Sequence, residues 1–178
     1  YLVPGVLGDK EEGEERMVST PWAEEQIPFS RAAELGTEKV IHDHSVVGVV
    51  VTTDGSFGEL PRENFVEAEE KTIAQLKALQ KPFVVILNSA NPQSQKSREL
   101  AAAMEKQYEV PVLPENCQRM SEEDFDRLFH RMILQFPACE IDFMLPGYLD
   151  ALPGTHWIKA TMIAQIQKWM EDFDTIGQ

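Results

Sequence analysis

Three short apolar runs, spaced by segments of helical periodicity, constrain this chain more than any other feature. The first is Val46-Val47-Gly48-Val49-Val50-Val51-Thr52, the second Phe83-Val84-Val85-Ile86-Leu87, and the third Val110-Pro111-Val112-Leu113. Each is nearly continuous in apolar, mostly β-branched character, without the alternation of a half-exposed strand. Such runs suit strands buried on both faces, and the first reads as a central strand of a parallel sheet. Between them lie helical stretches at 66–79, carrying Ile73 and Leu76, and from Pro92 and Ser94 to about 108, carrying Leu100, Ala103 and Met104. A helix at 29–43 precedes them, with Ser30 as its expected N-cap, and another at 124–135 follows, opened by Ser121, Glu123 and Asp124. Strand and helix therefore alternate from 29 to about 135. The fold class read from this order is α/β, a mostly parallel sheet with helices on both faces.

The flanks are different in kind. Residues 1–28 carry Gly5, Gly8, Gly13, Pro4, Pro21 and Pro28 among charges, which is loop chemistry over an unusual length. Residues 139–145 alternate Ile141, Phe143 and Leu145 with Glu140, Asp142 and Met144, and are expected to form a fourth, edge strand, antiparallel if anything. The segment 146–154 reads as a linker. A last amphipathic helix is expected at 156–173, with Trp157, Ile158, Met162, Ile166 and Trp169 as core, or as a face for a further domain.

Composition narrows the function. The 178 residues carry a net charge of -14, with acidic runs at 9–15, 67–70 and 122–126. A surface this acidic repels nucleic acid and anionic lipid, so both are discounted as direct partners. The acidic runs read as solvated faces. The two cysteines, Cys117 and Cys139, have neither CxxC spacing nor a histidine cluster, and read as free thiols in a reducing cytosol. No run approaches the roughly 20 apolar residues of a membrane span. His42 and His44 are spaced wrongly for one helix face, and His130 and His156 are isolated, so no metal site is expected.

In an open parallel sheet, ligands sit at the carboxyl ends of the strands. Three strand ends meet that requirement: Thr52-Thr53-Asp54-Gly55, Asn88-Ser89-Ala90-Asn91-Pro92 and Leu113-Pro114-Glu115-Asn116. In the GTPase class the second of these reads Asn-Lys-x-Asp, where Asn orients the loop, Lys stacks on the base and Asp accepts from guanine. Here Ser89 replaces Lys and Asn91 replaces Asp. A carboxamide offers donor and acceptor together and cannot demand guanine, which leaves ATP open. Asn88, Ser89, Asn91, Pro114 and Glu115 are thus the candidate base-side residues of a nucleotide site. Asn88 and Ser89 could equally cap the next helix. Asp54 reads either as a turn residue or as a catalytic or magnesium-binding carboxylate. The phosphate-binding pattern GxxxxGK[ST] does not occur; the Lys96-Ser97 pair has no glycine loop before it.

The chain closely resembles the stage IV sporulation protein A family. The residues that carry the likeness include Val3-Pro4-Gly5, Arg16-Met17, Thr20-Pro21-Trp22, Ile27-Pro28-Phe29, Lys39-Val40-Ile41, His44-Ser45, Thr52-Thr53-Asp54-Gly55, Lys81-Pro82-Phe83, Asn88-Ser89, Pro111-Val112-Leu113, Phe136-Pro137, His156-Trp157 and Gly177-Gln178. The likeness spans the whole chain. It implies a P-loop GTPase-like, translation-factor-class domain lacking its first strands: 1–28 a switch-II-like extended loop, 29–135 the α/β core, 136–178 an edge strand and C-terminal helix. It implies ATP hydrolysis with ATP and Mg2+ in the complete protein, whose Walker A and Walker B segments would precede Tyr1. No cofactor is expected to bind this chain tightly, and the chain alone is expected to be inactive. It further implies self-polymerisation into the spore coat base layer, other spore coat or forespore-surface proteins as partners, membrane association only through them, and a cytoplasmic place in the mother cell at the forespore surface. A nucleotide-free α/β scaffold for protein partners is the alternative, and a flavodoxin-like enzyme a third reading.

Overall fold

The computed structural model describes residues 3–5, the backbone of 10–11, and residues 14–170 and 173–177. Tyr1, Gly8, Asp9, Gly13 and Gln178, which entered the expectations above, lie outside the described residues. The chain divides into two compact units, Tyr1–Met132 and Ile133–Gln178.

The first unit is built on a parallel sheet ordered β5-β6-β7, with β5 Gly48–Thr53, β6 Phe83–Asn88 and β7 Val112–Glu115. Before it lie two short antiparallel hairpins: β1 Lys10–Glu11 with β2 Glu14–Glu15, and β3 Met17–Val18 with β4 Ile27–Pro28. Helix α1 is Phe29–Lys39 and runs into a π-helical turn, Val40–His44. Helices α2 Glu63–Ala78 and α3 Gln95–Tyr108 form the two crossovers, and α4 Glu122–Ile133 follows β7. The α/β class with a parallel sheet, read from the sequence, is what the structure shows.

β6 is the centre of the sheet and sends alternate side chains to opposite faces. Phe83, Val85 and Leu87 join Ile73 and Leu76 of α2 and Ala101, Met104 and Tyr108 of α3 in one core. Val84 and Ile86 meet Leu128 of α4 on the other face. Helices thus cover both faces, and β6 is apolar throughout because neither face is solvated.

β5 is not the central strand that its composition predicted. Among the described residues it is paired on one side only, by β6. Val50 and Thr52 turn into the α2/α3 core, whereas Val49 and Val51 stand exposed on the opposite face, Val51 at 59%. An open edge with exposed valines templates further pairing. The isolated chain is therefore expected to associate; a monodisperse monomer in sedimentation velocity would contradict this.

Several local expectations are corrected. Ser30 does not cap α1. The helix starts at Phe29, whose amide donates to Arg16 O at 2.8 Å, so the β3–β4 hairpin satisfies that amide in place of a side chain. The turn after α1 is closed instead by Lys81, whose ammonium donates to the carbonyls of Ile41, His42 and Ser45. Ser121 does open α4 with reciprocal bonds: its amide donates to Asp124 Oδ2 at 2.8 Å, and the Asp124 amide donates to Ser121 Oγ at 3.3 Å.

The second unit holds no strand at 139–145. Ile141, Phe143 and Leu145 are exposed and Met144 is 99% exposed. Alternation supplies a strand with two faces, but a ladder also needs a partner edge, and this segment has none among the described residues. What pairs instead is 134–138 against 174–177, through the Pro137–Thr175 bridge and bonds such as Ile176 N–H to Phe136 O at 2.9 Å. Helix α5 is Trp157–Met170 and buries none of its residues. The core reading of its tryptophans is overturned: Trp157 is 72% exposed and Trp169 53%. Residues 171–172, in the expected last turn, lie outside the described residues.

Candidate functional site

The parallel register sets Thr53 beside Asn88 and Asn88 beside Glu115, so the three loops that leave the strands start level with one another. Backbone bonds continue this order past the strands. Asp54 N–H donates to Asn88 O at 3.2 Å, and Ser89 N–H donates to Glu115 O at 2.9 Å.

Side chains then lace the loops together. Asn88 Oδ1 accepts from the Cys117 amide at 3.0 Å, which ties the β6–α3 loop to the β7–α4 loop. Asn116 Nδ2 donates to Ala90 O at 3.4 Å across the same gap. The Ala90 amide in turn donates to Ser56 Oγ at 2.8 Å, reaching the loop after β5. Neither Asn88 nor Ser89 caps α3. The cap is Ser94, whose Oγ accepts from the Ser97 amide at 3.2 Å.

Ser89 is 1% exposed. Its hydroxyl meets Ser97 Oγ at 2.9 Å and accepts from the Asn91 amide at 3.1 Å. It faces inward and cannot stack on a ligand as a lysine would. Asn91 is exposed, and its carboxamide makes no hydrogen bond among the described residues. Pro114 sits within β7 opposite Leu87. Glu115 is buried and bound by Arg127 Nη2 at 3.0 Å. The five candidates therefore share one edge but divide by role: Asn88 and Ser89 hold loops, Pro114 and Glu115 belong to β7, and Asn91 offers an exposed polar head.

Asp54 closes its turn by accepting from the Ser56 amide at 2.9 Å. Its other oxygen accepts from Ser97 Oγ at 3.1 Å. Partial burial pushes its carboxyl up, but hydrogen bonds from Ser56, Ser89 and Ser97 outweigh this and hold it below its ordinary value. Gly55 adopts φ +82°, and an added Cβ would stand 2.9 Å from the backbone nitrogen of Arg62. That tight turn brings Arg62 back over the end of β5. There it donates to Thr52 Oγ1 at 2.9 Å and forks onto Glu69 at 2.6 and 2.8 Å. Tyr108 donates to the same carboxylate at 2.7 Å. Burial drives Glu69 up, but Arg62, Thr52 and Tyr108 overcome it and hold the group below its usual range. Burial and the Glu69 carboxylate in turn push the Tyr108 phenol well up.

Sequence reading missed Ser56, Ser97, Asn116, Cys117 and Arg62. Ser97 was visible as the third residue after the Ser94 cap, and that offset places it on the first turn, facing the strand ends. Nothing local marked Arg62, because its partners come from β5, α2 and α3.

Residues 1–137 match the family model described as Stage IV sporulation protein A, ATPase domain. The chain belongs to the stage IV sporulation protein A family. It is 44% identical over 176 residues to the Stage IV sporulation protein A of Clostridioides difficile (strain 630), covering 99% of this chain and 36% of that protein. The proteins of the same name from Bacillus anthracis and Bacillus subtilis (strain 168) are 38% and 37% identical over 172 residues, covering 97% of this chain and 35% of each. The chain thus spans about a third of the length of these relatives. No solved structure matches it. The ATPase-domain match ends at residue 137, just inside the second unit. Among the described residues no helix is long and apolar enough to cross a membrane.

Proposed function

We propose that the carboxyl edge of β5-β6-β7 is the base side of an ATP site in a sporulation ATPase. The observation that carries this is the lacing of three strand-end loops at one level of the sheet, beside the exposed Asn91. A nucleobase needs a rigid slot with few polar groups, and ligands of open parallel sheets sit at this edge. The residues present fit a base. Asn88 fixes the β7–α4 loop through the Cys117 amide, and Asn91 presents a donor and an acceptor, as an adenine edge requires. ATP with Mg2+ supplies the reactive phosphoanhydride. The phosphates and the cation would be held by a GxxxxGK[ST] segment, which this sequence does not contain.

In the full-length gene product, hydrolysis would serve as a switch for self-assembly in the spore coat at the forespore surface of the mother cell. Contacts to the γ-phosphate would order a loop of the domain, and its release after hydrolysis would change the polymerising surface. Other spore coat or forespore-surface proteins are the proposed partners, and no direct membrane contact is invoked.

Asn88→Ala in the full-length gene product tests the site. The Cys117 amide loses its partner and the β7–α4 loop its tether, so ATP affinity is expected to fall about tenfold. Unchanged affinity, measured by titration calorimetry, would remove the base-side assignment and favour a nucleotide-free scaffold.

A further inference from the structure

Asp54 divides its carboxylate between two loops. Oδ1 accepts from the amide and hydroxyl of Ser56 and closes the turn after β5. A turn of this kind needs one oxygen only. The other, Oδ2, accepts at 3.1 Å from Ser97 Oγ, in the first turn of α3.

Ser97 is buried, and its hydroxyl lies 2.9 Å from both Ser89 Oγ and Ser94 Oγ and 3.2 Å from Asn91 O. One hydroxyl has a single hydrogen and two lone pairs. The carboxylate is the strongest acceptor within reach, so the hydrogen goes to Asp54 and a lone pair receives from Ser94. Ser89 then keeps its own lone pairs for the Asn91 amide at 3.1 Å. The donors run toward Asp54: Asn91 N–H to Ser89, and the Ser89 and Ser97 hydroxyls, 2.9 Å apart, to the carboxylate that both stabilise. Each bond polarises the next toward the negative charge at the end. The Asn91 carbonyl is held as well, accepting from the Ser94 amide at 3.0 Å. Asn91 therefore has a main chain fixed at both ends and a free side chain.

We propose that Asp54 is a positioning residue for nucleobase recognition: its charge, relayed through the Ser97 and Ser89 hydroxyls, fixes the main chain of Asn91 and so aims the Asn91 carboxamide. This rests on the nucleotide reading above. It assigns the carboxylate neither to phosphate chemistry nor to the turn alone. Charge, rather than shape, is the active property. An asparagine at 54 is isosteric, but with its carbonyl kept on the Ser56 amide its NH2 group faces the Ser97 hydroxyl, which then has to accept, and the donor chain reverses.

The test uses the full-length gene product and three probes: ATP, GTP and inorganic tripolyphosphate, each competed against a fluorescent ATP analogue. Asp54→Asn is expected to weaken ATP about tenfold and to leave tripolyphosphate, which has no base, unchanged. Ser97→Ala gives the same pattern by breaking the relay one bond away, and stands in if Asp54→Asn fails to fold. Adding Asn91→Ala to either variant costs little more, because the aimed group is already lost. Equal weakening of ATP and tripolyphosphate, or no weakening of either, overturns the proposal and leaves Asp54 a structural residue. A wild-type protein that binds tripolyphosphate but gains nothing from the base of ATP or GTP brings down the base-side reading itself, and is told apart from the former outcome because no variant is needed to see it.

Discussion

Replacing Arg62 by Met lowers stability by about 3–5 kcal/mol, the usual effect of stranding a buried charge. Glu69 is 4% exposed and is held by the fork of Arg62 and by the Tyr108 and Thr52 hydroxyls. Methionine keeps much of the volume but leaves the carboxylate with the Tyr108 and Thr52 hydroxyls and no countercharge. The pH response separates this from a packing defect. In the native protein the Glu69 pKa is held below its ordinary value, so its stabilisation is complete above about pH 4.3 and is lost as pH falls through the depressed folded value. In Arg62→Met the burial that opposes ionisation is no longer outweighed and the carboxyl titrates above its ordinary value. The site then gains stability as pH falls toward the ordinary value, the opposite sign. Urea denaturation at pH 7 and pH 5 reads the variant's response against a native Glu69 contribution that is constant over that window. Parallel losses at both pH values would show that Glu69 is not stranded. Arg62→Met with Glu69→Gln should recover part of the loss, since the uncompensated charge is gone.

Leu87→Ala is the second large effect, at about 2–5 kcal/mol. Leu87 is fully buried at the centre of the sheet, with Thr52 and Pro114 as its register partners. It shares its core with α2 and α3, which limits how far the site can collapse around a cavity. Val51→Ala, one strand away, should change stability by well under 1 kcal/mol, because Val51 is exposed. Urea midpoints compare the two directly, and similar losses would mean that β5 is covered on its second face.

The parallel core was legible because β6 is buried on both faces, which forces Phe83 to Leu87 to be apolar without a break. The position of β5 was not, since Val46 to Val51 reads identically whether or not a strand and helix cover it. The expected strand at 139–145 failed for a related reason: alternation in Ile141, Phe143 and Leu145 describes one strand, whereas pairing is a property of two. The candidate edge was legible as position, because parallel strands bring their carboxyl ends together whatever their sequence. Its division of labour was not. Ser89 occupies the place of a stacking lysine, yet burial turns it into a tether, and its neighbours Ser97 and Asp54 come from other elements far along the chain.

Photolabelling the full-length gene product with 8-azido-ATP, followed by mapping of the modified peptides, asks where the nucleobase sits. The label sits on the base, so it reports base-side residues. The account predicts that excess ATP suppresses the labelling, and that the modification falls in the peptides carrying Ala90-Asn91-Pro92 or Asn116-Cys117-Gln118. Competed labelling confined to other segments would contradict it.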